Sequence, residues 1–258
     1  MIPKVIHYCW FSEEVMPRKL RECFKSWKEN LPGYTIQKWD LNNVTIDIPF
    51  AEKALEEKKW AFLTDYFRLK VLYEEGGIYL DTDVYVLKSL DPLLQYPSFW
   101  GTANNGMVEP VVIGAQPKNE LIKSCMDIYK TMNVIDADFV YTEIPKLILP
   151  LFEAKGFQLT SEKTQQLNDG IIFPYDYFCP MPFEEAANHN FLSFTTNNTY
   201  AIHLWNTAWL KDPFRFFWNN RWKNGWHLAL KQIITNPIQP LSFYKSLFYH
   251  LKRQLNIK

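Results

Sequence analysis

The chain has 258 residues, 47% hydrophobic and 22% charged, which is enough for one large domain or a domain with a small appendage and too apolar for disorder. Lys+Arg and Asp+Glu both total 28, so net charge alone points to neither nucleic acid nor a polyanion. No apolar run approaches the roughly 18 residues that a membrane span needs.

The N-terminal MIPKVIHYCWF reads as a strand, Lys4 to Phe11, and not as a signal peptide, so the expectation is a protein that stays in the cytoplasm. Cys9, Cys23, Cys125 and Cys179 have neither CxxC pairing nor zinc spacing and read as reduced structural thiols. After the break at Met16-Pro17, Leu20, Phe24 and Trp27 recur at helical spacing within Arg18 to Asn30, and Pro32-Gly33 ends that helix. Tyr34 to Trp39 reads as a second strand, and Ala51 to Glu57 as a short helix. Trp60, Leu63, Phe67 and Val71 define a helix to Glu75, which Gly76-Gly77 stops, and Ile78 to Val86 reads as one strand.

Further on, Val111 to Ala115, Phe157 to Thr160, Gly170 to Phe173 and Tyr200 to Trp205 read as strands, and Asn119 to Thr131 and Ile144 to Ala154 as helices. Alternation of β and α elements predicts an α/β sandwich with a mostly parallel central sheet. Two regions are expected: a domain over 1–212 and a helical C-terminal extension over 213–258, interrupted by Pro237 and Pro240.

Read as a strand, Asp81-Thr82-Asp83 would put both carboxylates on one side, about 7 Å apart at Cα. Leu80, Val84 and Val86 are apolar neighbours. Two carboxylates in a poorly solvated site repel one another, and a divalent cation removes the conflict; Mn²⁺ or Mg²⁺ suits such oxygen ligands. Such an ion would bridge the phosphates of a nucleotide diphosphate. An acidic turn without a ligand is the plainer reading of the same triplet. On the preceding helix Asp65 and Arg68 are spaced i, i+3. They make either a surface ion pair or a carboxylate and a cationic fork for sugar and phosphate oxygens.

The string WAFLTDYFRLKVLYEEGGIYLDTDV, starting at Trp60, closely resembles the Asp-x-Asp sugar-binding region of family 32-type glycosyltransferases. That family includes capsular polysaccharide transferases and initiating mannosyltransferases, with the large clostridial glucosylating toxins as distant relations. IPKVIHYCWF, with His7 and Trp10 in an H-x-x-W pattern, is similar to the family's first strand; YFCPMPF and YAIHLWNTAW resemble later segments. The resemblance implies a GT-A-type nucleotide-sugar-binding fold and a metal-dependent, retaining transfer of a hexose from a UDP- or GDP-sugar. It implies a glycan or lipid-linked glycan as acceptor, in surface polysaccharide biosynthesis. It further implies that His7, Trp10, Asp65, Arg68, Asp81 and His203 bind the donor, with Trp10 stacked on the nucleobase. Asp81, Asp83 and His203 would hold the metal, and Asp81, Asp83 and Arg68 would serve catalysis. The sequence departs from the pattern at Leu204, where many relatives have a second His, and at Ala208, where they have Ser.

Pro213 to Lys258 holds no acidic residue but carries Arg215, Arg221, Lys223, Lys231, Lys245, Lys252, Arg253 and Lys258 among many aromatic residues. This composition suits peripheral attachment to the inner face of the plasma membrane; helices packed on the catalytic domain with a solvated basic face account for it as well. Nucleic acid is not expected as a partner. Two other functions share the motif: a non-catalytic nucleotide-sugar-binding or scaffold protein, and a metal-dependent nucleotidyltransferase, which would lack its phosphate-cradling Gly-rich loop.

Overall fold

The computed structural model describes residues 1–132, 143–186, 190–206, 217, 222–235, 237–239 and 241–255. They divide into two compact units, one of Met1–Pro182 with Asn190–Leu204 and the other of Phe183–His189 with Trp205–Lys258.

In the first unit, strands β1 (Val5–Cys9), β2 (Thr35–Trp39), β3 (Gly77–Leu80), β5 (Ser98–Thr102), β6 (Val108–Ala115), β7 (Gln165–Leu167) and β8 (Gly170–Phe173) form one sheet in the order β2-β1-β3-β6-β5-β8-β7. β2, β1, β3, β5 and β8 run one way and β6 and β7 the other, so the sheet is mostly parallel as expected. A second sheet pairs β4 (Val84–Val86) with β9 (Ala201–His203), antiparallel.

Strand alternation sorts the two faces of the main sheet. Tyr8 meets Phe24 and Trp27 of α1 (Arg18–Asn30). Its neighbour Cys9 joins the large core that covers the other face. That core draws on α2 (Pro49–Glu56), α3 (Trp60–Glu75), α4 (Glu120–Thr131) and α5 (Ile144–Ala154). The helix α3 is buried almost all round, and its two buried charged residues are Asp65 and Arg68. The i, i+3 ion pair of Asp65 and Arg68, one of the two readings the sequence left open, is therefore an interior one.

Several boundaries differ from the sequence reading. The strand expected over Ile78 to Val86 is two strands in different sheets, with Asp81 to Asp83 in the turn between them. A hydrogen bond from the Val84 amide to the Asp81 carbonyl closes that turn. The Trp27 indole donates to the Val84 carbonyl and Asn30 to that of Val86, so α1 holds β4 away from the main sheet. No strand forms at Phe157 to Thr160, and the strand β7 forms instead over Gln165–Leu167. β5 was not anticipated, because Pro97 and Gly101 interrupt its pattern. In the second unit lie α6 (Trp222–Thr235) and α7 (Leu241–Gln254), on either side of the expected Pro237 and Pro240 break.

Gly77 opens the strand that leads to the aspartates. Its φ of +101° is left-handed, and a Cβ there would lie 2.8 Å from both the Val5 carbonyl oxygen and His7 Nε2. Gly33 also has a positive φ but open space around it. Gly33→Ala is expected to cost about 1 kcal/mol, and Gly77→Ala at least about 2 kcal/mol, because a backbone clash is added to the strain. Urea unfolding of the two variants checks this; equal losses would leave the tight approach without consequence.

Candidate functional site

Arg68 is the centre of a buried charge network. Its Nη2 lies 2.8 Å from Asp65 Oδ1, and its Nη1 donates to the Pro110 carbonyl at 2.6 Å and to Asp81 Oδ2 at 3.3 Å. The Tyr79 ring lies under the guanidinium, 4.9 Å away, and the Tyr79 hydroxyl donates to Asp81 Oδ1 at 2.7 Å. Both Asp81 oxygens are thus fixed from within the fold. Asp83 stands beside His203, whose Nε2 lies 3.3 Å from its Oδ2. The antiparallel pairing of Val84 with His203 brings these groups together.

Burial and charge oppose each other throughout the cluster. Burial pushes Asp65 up to about 7; Arg68 pulls it down, and the charges of Asp81 and Glu109 add to the rise. Asp81 is raised by burial, against Arg68, and further by Asp83. Burial alone would lower His203, but Asp83 beside it outweighs that and raises it. The same balance keeps Arg68 charged: burial lowers it, and Asp81, Tyr79 and Asp65 more than compensate. An assembly of carboxylates this poorly solvated, with one Arg among them, favours a further cation.

Ligand atoms of Asp81, Asp83 and His203 all lie within 4.8 Å of one another. Two carboxylates and an imidazole fit a divalent ion, and the nitrogen donor suits Mn²⁺ better than Mg²⁺. Binding would require neutral imidazole, so an ion and a proton compete for His203.

Of the residues expected at the site, Asp65, Arg68, Asp81, Asp83 and His203 come together. His7 does not join them. The Trp39 indole donates to its Nδ1 at 3.0 Å, which leaves the proton on Nε2 to be donated to the Gly76 carbonyl at 2.8 Å. With both nitrogens used and burial lowering its pKa, His7 is a neutral strut for the Gly76-Gly77 corner and has no polar atom for a donor. Trp10 follows β1, half-buried, its indole donating to the Glu14 carbonyl at 3.2 Å. Leu204 is buried and acts through its backbone: its amide donates to the Asp83 carbonyl and its carbonyl accepts from Lys19 Nζ. Ala208 lies outside the described residues, as do Trp209, Arg215 and Arg221.

Sequence reasoning missed Glu109 and Tyr79. The β3–β6 register pairs Tyr79 with Ile113, and the Asp81 amide continues it by donating to the Val111 carbonyl. Glu109 is one same-face step further along β6. No hydrogen bond or ion pair holds its carboxylate among the described residues. Burial pushes Glu109 up to about 7, with His203 lowering it and Asp81 raising it. A lone Glu inside the apolar run VEPVVIGA was the available signal.

Residues 17–100 match the family model described as a glycosyltransferase sugar-binding region containing the DXD motif. Over that span the chain is similar to DXD-containing glycosyltransferases. The matched span holds Asp65, Arg68, Asp81 and Asp83 of the sugar-binding region, while Glu109 and His203 lie beyond it. The lactosylceramide 4-alpha-galactosyltransferase of Rattus norvegicus is 28% identical over 210 residues, which are 70% of this chain and 54% of the relative. The inositol phosphoceramide mannosyltransferase 3 of Schizosaccharomyces pombe is 36% identical over 110 residues, 38% of this chain and 29% of the relative. The chain spans about half the length of the galactosyltransferases it matches. Among solved structures, the glycosyltransferase GlyE of Streptococcus pneumoniae TIGR4 is similar with a TM-score of 0.47 and 13% identity, over 91% of this chain and 64% of that one.

Two consequences of the electrostatics are measurable. Glu109 and Asp65 bind protons more tightly folded than unfolded, so without metal the unfolding free energy should fall as pH rises from ~4.5 to ~7. Glu109→Gln should flatten that fall by on the order of 1–3 kcal/mol, read by urea unfolding at several pH values. Protons compete with the ion for His203 and Asp81, so the rise in melting temperature with Mn²⁺ should shrink from pH ~7.5 to ~5.5. An Mn²⁺ effect independent of pH and intact in Asp83→Asn would remove the ion from this site.

Proposed function

We propose that the chain is a metal-dependent glycosyltransferase that moves a hexose from a UDP- or GDP-sugar to a glycan or lipid-linked glycan acceptor, with retention at the anomeric carbon. The observation that carries this reading is the convergence of Asp81, Asp83 and His203 within 4.8 Å, next to a matched sugar-binding region. Two relatives support a hexose on a lipid-linked acceptor, since their names give galactose transfer to lactosylceramide and mannose transfer to inositol phosphoceramide. A cytoplasmic setting in surface glycan assembly is part of the proposal. It is supported by four cysteines that are all free and buried.

A divalent ion bound by Asp81, Asp83 and His203 would supply positive charge to the diphosphate leaving group. The protein's own groups do the rest by position. Arg68 and Tyr79 fix the two oxygens of Asp81, so that this carboxylate needs no reorganisation when the donor arrives. Arg68 spends its terminal nitrogens on Asp65, Asp81 and Pro110 and is therefore a positioning residue, in place of the direct donor contact first expected. Trp10 offers a half-buried ring for nucleobase stacking at the end of β1. In the retaining step the bond from the anomeric carbon to the phosphate oxygen breaks as the acceptor oxygen bonds on the same face. The acceptor proton passes to that phosphate oxygen.

A nucleotide sugar should raise the melting temperature in the presence of Mn²⁺ and not with chelator. Asp83→Asn should lower metal-dependent donor hydrolysis at least about 100-fold while leaving the fold intact. Undiminished hydrolysis by that variant would end the assignment of the metal pair. Tight nucleotide-sugar binding with neither hydrolysis nor transfer would favour the scaffold reading.

A further inference from the structure

Exposed large apolar side chains are concentrated at one end of the chain. Of thirteen among the described residues, eight fall between Leu230 and Leu255. In α7 they form a stripe: Tyr244, Phe248 and Leu251, continued by Leu255, recur at steps of four, three and four, and so lie on one side of the helix. This is a second face. The face that builds the unit's own core carries Phe243 and Leu247, packed with Phe217 and Ala229. Phe248 is 59% exposed, and before the helix Ile234 and Ile238 are 77% and 88% exposed. Packing within the unit therefore leaves the stripe to solvent, where aliphatic and aromatic groups at this density mark an interaction surface.

Charge selects the partner. Lys245 and Lys252 flank the stripe, with Lys252 Nζ 5.1 Å from the centre of the Phe248 ring, and Lys223 and Lys231 are exposed on α6. No Asp or Glu occurs from Pro213 to Lys258. Two copies joined through this face would bring lysines together with nothing in the segment to neutralise them. A nucleic acid would use the lysines but has no counterpart for Leu251, Ile234 or Leu255, since aliphatic groups do not stack on bases. An anionic lipid surface meets both features: acyl chains receive the apolar stripe, and headgroup phosphates receive the lysines.

We propose that the α7 face formed by Tyr244, Phe248, Leu251 and Leu255, with its flanking lysines, docks on anionic phospholipid bilayers in the plane of the headgroups. The proposal uses none of the residues of the carboxylate cluster, so this inference holds or fails independently of the transferase reading.

Co-sedimentation of the full chain with vesicles tests it, comparing phosphatidylcholine alone with a mixture containing roughly one-third phosphatidylglycerol. Binding to the anionic vesicles should exceed that to the zwitterionic ones at least about tenfold and weaken in high salt. Phe248→Asp with Leu251→Asp should abolish it, and Lys245→Glu with Lys252→Glu should cut it at least about tenfold, with melting temperatures close to that of the unaltered chain. Leu41→Asp, at an exposed apolar residue elsewhere, should leave binding unchanged. No sedimentation with anionic vesicles, or undiminished sedimentation of the Phe248 and Leu251 variant, overturns the proposal. So does a dimer, seen by sedimentation velocity, that this variant dissolves; the face would then join two copies.

Discussion

The buried guanidinium of Arg68 is the constraint on which the site depends. It sits in α3 with almost no solvent, yet it is charged, and the fold surrounds it with two carboxylates, a backbone carbonyl and an aromatic face. Interior ion pairs of this kind bring little net stability, because desolvation cancels most of the attraction. Breaking one costs ~3–5 kcal/mol, since the stranded charge has no water to turn to. The return on that arrangement is placement. Asp81 is held from both oxygens, and with it the turn that presents Asp83.

That turn joins two sheets. β3 belongs to the large sheet under α3, and β4 belongs to the small one clamped by α1. The carboxylates therefore stand at a seam where backbone direction changes, and β9 can bring in His203 from late in the chain. Each added acid, Glu109 included, makes the metal-free cluster less comfortable and a bound cation more favourable. The mutual repulsion of these carboxylates is what a divalent ion held by Asp81, Asp83 and His203 would relieve.

The polarity of the sequence has a spatial counterpart. Acidic groups gather at the carboxylate cluster of the first unit, while the second unit's helices carry lysines beside exposed apolar side chains. A balanced total charge thus covers two electrostatically opposite regions, one suited to a cation and the other to anions.

The sequence by itself determined what depends on neighbours a few residues apart. α1, α3 and α5 were legible to the residue from apolar spacing and Gly or Pro stops, and Asp65, Arg68, Asp81 and Asp83 from a motif confined to one helix, one corner and one turn. Charge asymmetry in the tail was equally plain. Tertiary structure alone decided the rest, because long-range pairing has no local signature. Nothing near Asp83 in the chain says that Val84 will pair with His203, that the strand will split between two sheets, or that Glu109 will fall in register beyond Asp81. His7 was expected at the donor because the resemblance set it in the H-x-x-W pattern of the family's first strand. Its partners, Trp39 and Gly76, become neighbours only when β1 inserts between β2 and β3, and hydrogen bonds to both leave it no nitrogen to offer.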